Sequence, residues 1–463
     1  MKKVGIVGAG LGGLTAGVLL SKKGYKVEVF EREGLVGGRA LTLDGSSLSL
    51  DEYKNILRDF DMWLPHSEPD ISEIFDKGLL NSYKLDLGFH LLGFPDKSPL
   101  IDILKENGVS VRVNASKFAL ITPDERIYQD FNEFINLSNK LKMMPLVIKF
   151  YLVQKFLTSR MEKVPMSDTL DKHTKGDIKD AVGATARYIS TVNDLDIIST
   201  AEIMRVMKQW GAGGAKATGF PEQGSITLCN GLVKVIKKNG GRVHLNTKVE
   251  KVVIRRGRAV GVVVDGKTIP FDIVISNLPV QDTFDIAPPE HFPKEYVKKL
   301  TDLEGTGSVC AYYGLSDLPP DLKRKPFAFL DNKVKVDGGD AAGIIDFQTA
   351  RPEMKMSPKG QYLVQAYIIC TPKEAVDRKK VEMLIDSMDR HLELLIPDYR
   401  DKLLFAIYPS IYHLDGVAKT IYCDKPTSDT PIKNFYLVGD SIKAPGIGMN
   451  CAVSSGLELA ERL

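Results

Sequence analysis

Lys3-Val4-Gly5-Ile6-Val7-Gly8-Ala9-Gly10-Leu11-Gly12-Gly13 is the stretch on which the fold turns. Lys3 to Val7 reads as a short buried strand. A helix is predicted from about Leu14 to Lys23, and Gly24 stops it. Tyr25 to Glu31, with Val27, Val29 and Phe30, reads as a second strand ending on an acid. The unit is strand, glycine turn, helix, strand, acid. Gly8 permits the tight turn, Gly10 lets the backbone approach a diphosphate, and Gly13 lets the helix sit close to the strand. At the helix start, beside Leu11 and Gly12, free N–H groups and about half a positive charge of macrodipole favour phosphate. Glu31 lies about 20 residues beyond the glycines, where a carboxylate accepts bonds from a ribose diol. The pattern predicts a dinucleotide site without separating FAD from NAD.

Two further stretches make that separation. Arg32-Glu33-Gly34-Leu35-Val36-Gly37-Gly38-Arg39 follows the acid directly. At the other end, Asn434 to Val438 reads as a strand. It runs into Gly439-Asp440-Ser441, then Pro445-Gly446-Ile447-Gly448-Met449-Asn450, then a helix from about Cys451 to Leu463. Between them, Gly231 to Asn239 reads as a helix. Val243–Leu245, Val249–Arg255, Ala259–Val264 and Asp272–Asn277 read as strands, with Asp265-Gly266 as a hairpin turn.

On these residues the chain resembles the flavin-containing amine oxidase and phytoene desaturase superfamily. The resemblance implies FAD as cofactor and an α/β fold: a discontinuous Rossmann-like FAD-binding domain with a second, α+β substrate domain. It implies that Gly37 and Gly38 bring the chain back over the diphosphate with Arg39 as a cation near it, that Arg32 belongs to the cofactor site and that Asp440 binds the ribityl chain. Gly439 belongs to the same element, and Gly448, Met449 and Asn450 lead the last helix toward the pyrimidine edge of the flavin. Val249 borders the adenine and Asn277 the nucleotide. A helix N-terminus there suits the anionic reduced ring. The expected division is residues 1–94 with 226–283 and 426–463 for FAD, carrying an insertion at about 43–82. Residues 95–225 with 284–425 would then hold the substrate.

The insertion departs from the family pattern, with helices expected around Asp51–Trp63 and Asp70–Lys77. It could serve as a lid, a dimer contact or a plain excursion. It displaces a strand read as Tyr83 to His90, whose end faces the flavin by the resemblance. His90 is the candidate catalytic residue there, as a proton carrier beside hydride transfer; the alternative is a structural histidine. Asn136 to Lys163 is a dense apolar run decorated with lysines, suited either to an anionic membrane surface or to covering a pocket. Cys451 opens the last helix, where a thiol is either reactive or simply small.

The resemblance leaves the reaction to the pocket. An amine oxidase cage wall would fall on Gly448, and glycine cannot form one, although Tyr408, Tyr412 or Tyr422 could substitute. The leading expectation is a desaturase or saturase acting on an apolar, isoprenoid or carotenoid-like chain, with quinone or oxygen as electron acceptor. Two alternatives are amine oxidation and a flavin-less lipid carrier resembling the dissociation inhibitors of small GTPases. Bulk properties agree with an enzyme of ordinary type. The 463 residues suggest two domains, and 43% apolar with 26% charged residues suits a globular protein. A net charge of +3 gives no field for nucleic acid. The five scattered cysteines have no metal-binding or redox spacing and suit a reducing, cytoplasmic setting, with peripheral membrane contact through about 140–163. Glycines at fixed offsets argue against reading the N-terminus as a signal peptide.

Overall fold

The computed structural model describes residues 1–130, 133, 137–156, 158–213, 218–320, 322 and 325–463. Its organising element is a five-stranded parallel sheet gathered from three distant parts of the chain. The order is Arg242–His244, Lys26–Phe30, Lys3–Val7, Ile273–Ser276, Phe435–Leu437. Val4 pairs with Val27 on one side and Ile273 on the other, so the first strand is central and both its faces are covered. That burial explains its near-continuous apolar sequence.

The helix Leu11–Lys22 packs between the last helix, Gly448–Arg462, and Ile226–Lys238. It is buried over most of its surface and therefore needs no polar face. Both terminal motif helices begin earlier than the sequence suggested, at Leu11 rather than Leu14 and at Gly448 rather than Cys451. Their first turns carry glycine, which lowers helix propensity but leaves room for close packing. A β-carbon on Gly456 would lie 2.5 Å from the Gly12 carbonyl oxygen, so these two helices touch backbone to backbone.

Next to this sheet stands an antiparallel hairpin unit, Val249–Arg255, Arg258–Val264 and Lys267–Pro270. Its Asp265-Gly266 turn has positive φ at both positions, as the expected hairpin requires.

The second large element is an eight-stranded, mostly antiparallel sheet. Its order is Met62–Glu68, Leu403–Ile411, Gly307–Leu315, Tyr362–Cys370, Gly339–Asp346, Pro326–Val336, Ala119–Ile121, Ile127–Tyr128. One face packs on the helix Arg378–Leu395 through Val381, Leu384, Met388 and Leu392. The other face carries Ala328, Ile344 and Tyr367 toward a cavity. Helix Asp177–Ser190 lines that cavity, and helices Leu137–Phe156, Met166–His173 and Thr200–Gly213 pack against that helix.

Two expectations need correction. The helix read over Asp51–Trp63 ends at Asp59, and Met62–Glu68 is an edge strand of the eight-stranded sheet. Pro65 masked it, because proline argues against a strand except at an edge or bulge. Here it occupies both: the register skips from Trp63 to His66 across the neighbouring strand. The strand read from Tyr83 to His90 shrinks to Lys84–Asp86. Beyond it, Tyr312 takes over the backbone: its hydroxyl donates to the Asp86 carbonyl and accepts from Gly88 N–H at 2.9 Å. Of the apolar run Asn136–Lys163, residues Asn136 and Leu157 lie outside the described residues.

Candidate active site

A single cavity of about 830 Å³ runs from the carboxyl end of the parallel sheet to the face of the eight-stranded sheet. That is near the top of the roughly 300–1,000 Å³ range of cofactor and small-molecule sites. Of the site residues expected from sequence, Gly8, Gly10, Leu11, Gly12, Glu31, Arg32, Gly38, Arg39, His90, Val249, Asn277, Gly439, Asp440, Gly448 and Met449 line it.

Two expected residues do not. Gly13 sits behind the wall, where a β-carbon would meet the Gly8 carbonyl oxygen at 2.5 Å, so its part is to let helix and strand close. Its N–H donates to Asn277 Oδ1 at 3.0 Å. Asn450 turns inward: its amide donates to the Gly93 carbonyl at 2.7 Å and its Oδ1 accepts from Ser98 at 2.8 Å. The side chain of Asn450 therefore ties the last helix to the strand Leu92–Gly93. Sequence spacing could place it at the helix start but not choose its direction.

The nucleotide end is shaped by backbone. Gly10 and Gly37 form a bridge, and Gly37 N–H donates to the Ala9 carbonyl, which folds the Gly37-Gly38-Arg39 turn back over the glycine loop. The Gly10 N-cap supplies no side-chain acceptor, and with Gly13 N–H held by Asn277 the N–H groups of Leu11 and Gly12 are the ones left for an anion. Glu31 is buried at the end of the second strand. Its Oε2 accepts from Ala9 N–H at 2.8 Å and its Oε1 from Glu33 N–H at 3.0 Å. Burial pushes its pKa up, and those two backbone donors act against the rise. These are the features of a ribose and diphosphate cradle, and they fit FAD.

Arg39 and Asp440 face each other. The guanidinium meets Asp440 Oδ1 at 2.6 Å and donates to the Leu414 carbonyl at 2.7 Å. Asp440 Oδ2 accepts from Gly416 N–H at 3.1 Å. The pair thus clamps the C-terminal motif to the N-terminal one.

Past this clamp the wall is mainly apolar, with Phe89, Leu91, Phe118, Leu120, Tyr188 and Tyr367, and Lys117, Asp130, Thr185 and Thr218 also line it. Phe89 and Tyr367 stack on each other, centroids 4.3 Å apart and planes 19° from parallel. No ligand fits between rings at that spacing, so the pair is a wall and not a cage. Tyr408, Tyr412 and Tyr422 are absent from the lining. Tyr408 is buried in the sheet core and donates to Asp389 at 2.9 Å.

His90 stands where the two halves meet. Its Nδ1 is enclosed beside the Gly88 backbone, which acts to raise its pKa but forms no well-aligned hydrogen bond with it, while Nε2 makes no protein hydrogen bond and the residue lines the cavity. Burial, then the charge of Arg39, pushes its pKa down to about 4, so the ring is neutral near pH 7. Behind it, buried Asp86 accepts from Thr42 Oγ1, from Ser225 N–H at 3.1 Å and from Ser225 Oγ at 3.0 Å. Burial raises the Asp86 carboxyl to about 6 against those donors. Cys451 is buried, its thiol 3.5 Å from the carbonyls of Ile442 and Ala444, and burial pushes its pKa up. It is a small packed residue, not an activated thiol.

Sequence reasoning missed Asp415, Thr191, Tyr188 and Tyr367, all in the cavity wall. They come from strands, helices and loops without a motif, and only the tertiary fold brings them together.

Residues 11–463 match the model of the flavin containing amine oxidoreductase family. The chain belongs to that family. It is a flavoenzyme, an FAD-dependent oxidoreductase. Among curated relatives it is 24% identical to a chloroplastic prolycopene isomerase of Daucus carota, over 99% of this chain and 79% of that protein. It is 23% identical to a 1-hydroxycarotenoid 3,4-desaturase of a Flavobacterium, over 72% of this chain and 67% of that one. A crystal structure of an oxidoreductase from Methanosarcina mazei shares the fold, with a TM-score of 0.73 at 20% identity, covering 99% of this chain and all of that chain. Family membership sets aside the flavin-less carrier, and Glu31, Arg39 and Asp440 line one cavity.

Proposed function

We propose that this flavoenzyme is a desaturase or saturase of an apolar, isoprenoid or carotenoid-like chain. The observation that carries the reading is the continuity of one cavity: a glycine-lined nucleotide end opens directly into a mainly apolar room, in which the stacked rings of Phe89 and Tyr367 leave no gap between them for a substrate. The names of the carotenoid-acting relatives support it. Bound FAD supplies a hydride acceptor or donor at the junction. The chain supplies the rest. Glu31 holds the ribose, the Leu11 helix start and Arg39 the diphosphate, and Asp440 the ribityl chain. Val249 and Asn277 border the nucleotide, and the Gly448–Met449 turn meets the ring. The apolar walls align the substrate and exclude water, and His90 Nε2 takes or gives the proton.

The test is anaerobic titration of the purified yellow protein. Polyprenyl or polyene substrates should bleach the flavin bands or, for the saturase direction, reoxidise prereduced protein; amines should do neither. Bleaching by amines alone would overturn the reading. Reoxidation is then expected with quinone or oxygen, distinguished by stopped-flow mixing with each.

The same reading includes a membrane contact. Helix Leu137–Phe156 buries Leu146 and Phe150 in a cluster with Phe94 and Ile189, two residues of the cavity wall. Its outer side exposes Leu141, Met144, Val147, Ile148, Tyr151 and Leu152, with Leu141 and Tyr151 at 65% and 70%. Lys140 and Lys142 are exposed, and no acid occurs from Leu137 to Phe156. No helix among the described residues is long and apolar enough to cross a membrane. An apolar helix with lysines suits the surface of an anionic bilayer, where apolar substrates reside. Each large side chain inserted contributes up to about 1.5–3 kcal/mol. The double variant Tyr151→Glu, Leu152→Glu is expected to lower cosedimentation with anionic vesicles by about tenfold or more while retaining flavin. Unchanged cosedimentation would remove this contact from the proposal.

A further inference from the structure

Asp415 lies in the segment His413–Gly416, which is held across the cavity wall from several sides. Arg39 donates to the Leu414 carbonyl, Gly416 N–H donates to Asp440, and Gln281 Nε2 donates to the Gly416 carbonyl at 2.7 Å. The segment cannot drift, and Asp415 is 7% exposed within it.

The two oxygens of this carboxylate are used differently. Oδ2 accepts from Thr191 Oγ1 at 2.9 Å and from Lys419 Nζ, in an ion pair whose lysine side chain is 2% exposed. Oδ1 makes no protein hydrogen bond and opens to the cavity. Burial by itself would raise this carboxyl, but Lys419 first, then Lys425 and Arg39, hold it at about 2. It is charged at any ordinary pH. Its charge also reaches His90, on which Arg39 and Asp440 act as well. The carboxylate is anchored through one oxygen and leaves the other accessible in a cavity wall that is mainly apolar beyond the Arg39–Asp440 clamp, with Lys117, Asp130, Thr185 and Thr218 as polar exceptions.

We propose that Asp415 is a second catalytic residue, whose Oδ1 stabilises positive charge developing on the substrate as hydride leaves it. This rests on the hydride-transfer reading above. In the desaturation direction one C–H bond breaks and its electron pair departs with the hydrogen to oxidised flavin, the acceptor. The carbon left behind is electron-deficient. The adjacent C–H bond then gives its proton to His90 Nε2, which becomes imidazolium, and its electron pair closes the double bond. The substrate loses two hydrogens and two electrons. In a cavity of low dielectric, a fixed carboxylate near the first carbon favours the charged transition state over the neutral substrate.

The experiment measures binding, not turnover. Hexyltrimethylammonium mimics the cationic carbon and has no lone pair through which to be oxidised; 2,2-dimethyloctane is its neutral isostere. Both are titrated into the flavin-loaded protein by calorimetry and by perturbation of the flavin spectrum. The cation should bind about tenfold or more tightly than the isostere. The paired variant Asp415→Asn, Lys419→Met, which removes both buried charges together, should bind the two equally. If the native protein binds the cation no tighter than the isostere, the role of Asp415 falls, whether or not the variant folds. The hydride reading would survive that result, because polyene reduction of the flavin tests it separately. A cation preference in a protein that no polyene reduces or reoxidises would overturn the hydride reading and this role with it.

Discussion

Gly12→Val protein is expected to purify colourless and to stay so after incubation with FAD. A β-carbon at Gly12 would lie 2.6 Å from Asn277 Oδ1, 2.9 Å from the Gly439 nitrogen and 3.1 Å from the Ala452 carbonyl oxygen. Three motif elements therefore converge on one missing methyl group: the glycine loop, the end of the strand Ile273–Ser276, and the turn into the last helix. Two of the three atoms are backbone and cannot rotate away. Asn277 cannot yield freely either, since its Oδ1 also accepts from Gly13 N–H. Valine must push the last helix and the Gly439 turn outward, opening the clamp between Arg39 and Asp440. Overpacking of this kind costs about 1–3 kcal/mol in stability. The loss in cofactor affinity should be larger, about a hundredfold or more, because the groups proposed to bind the diphosphate and the ribityl chain move together. Gly17→Ala is the control on the same helix. Its β-carbon would meet the flexible Ile236 Cδ1 at 3.0 Å, away from the cavity, and it should keep full flavin content. The ratio of flavin to protein absorbance checks both. A stoichiometric yellow Gly12→Val protein would show that the glycine loop does not hold the cofactor.

The nucleotide half of this site was legible in sequence because backbone geometry constrains residue type there. Gly8 takes a positive φ, and a β-carbon on Gly10, Gly12 or Gly13 would meet Asn277 or the Gly8 carbonyl oxygen, while Glu31 ends the second strand with its carboxylate held by the Ala9 and Glu33 N–H groups. These requirements leave fixed spacings that survive when the rest of the chain drifts. The apolar end of the cavity leaves no such trace. Its wall is built from Phe89, Tyr188, Tyr367 and their neighbours, and any apolar side chain of similar volume satisfies a wall. Asp415 was invisible for a different reason. Its meaning depends on Lys419 and Thr191, which arrive from a nearby turn and from the end of the helix Asp177–Ser190. No spacing announces that one carboxylate oxygen remains free. The strand Met62–Glu68 was hidden by Pro65, whose placement at an edge bulge is a fact about its neighbour, the strand Leu403–Ile411. His90 was found, but on a strand expected to reach it. It stands instead on a turn fixed by the hydroxyl of Tyr312, more than 200 residues away in the chain.

The second large effect is expected at His90. His90→Ala should lower turnover by about 10²–10⁴-fold, the usual worth of a positioned proton carrier. Its flavin content should match the native protein, because the ring bonds to none of the residues of the nucleotide cradle. The pH dependence carries the sharper test. A proton acceptor must be neutral to act, and burial with Arg39 nearby sets the His90 pKa at about 4. Below that value the ring is charged and inactive; above it, neutral and active. The native kcat/KM should therefore climb as pH rises through about 4 and stay flat across pH 6.5, where an unshifted histidine would titrate. So weak a base suffices only because of the order of events: once hydride has left, the neighbouring C–H bond is strongly acidic. A base of ordinary strength would be needed if the proton left first. An acid limb near pH 6.5 in the native enzyme, absent in His90→Ala, would mean that the ring is more open to water than its enclosure implies. Native turnover and an unchanged profile in His90→Ala would assign the proton to solvent and leave His90 a structural residue.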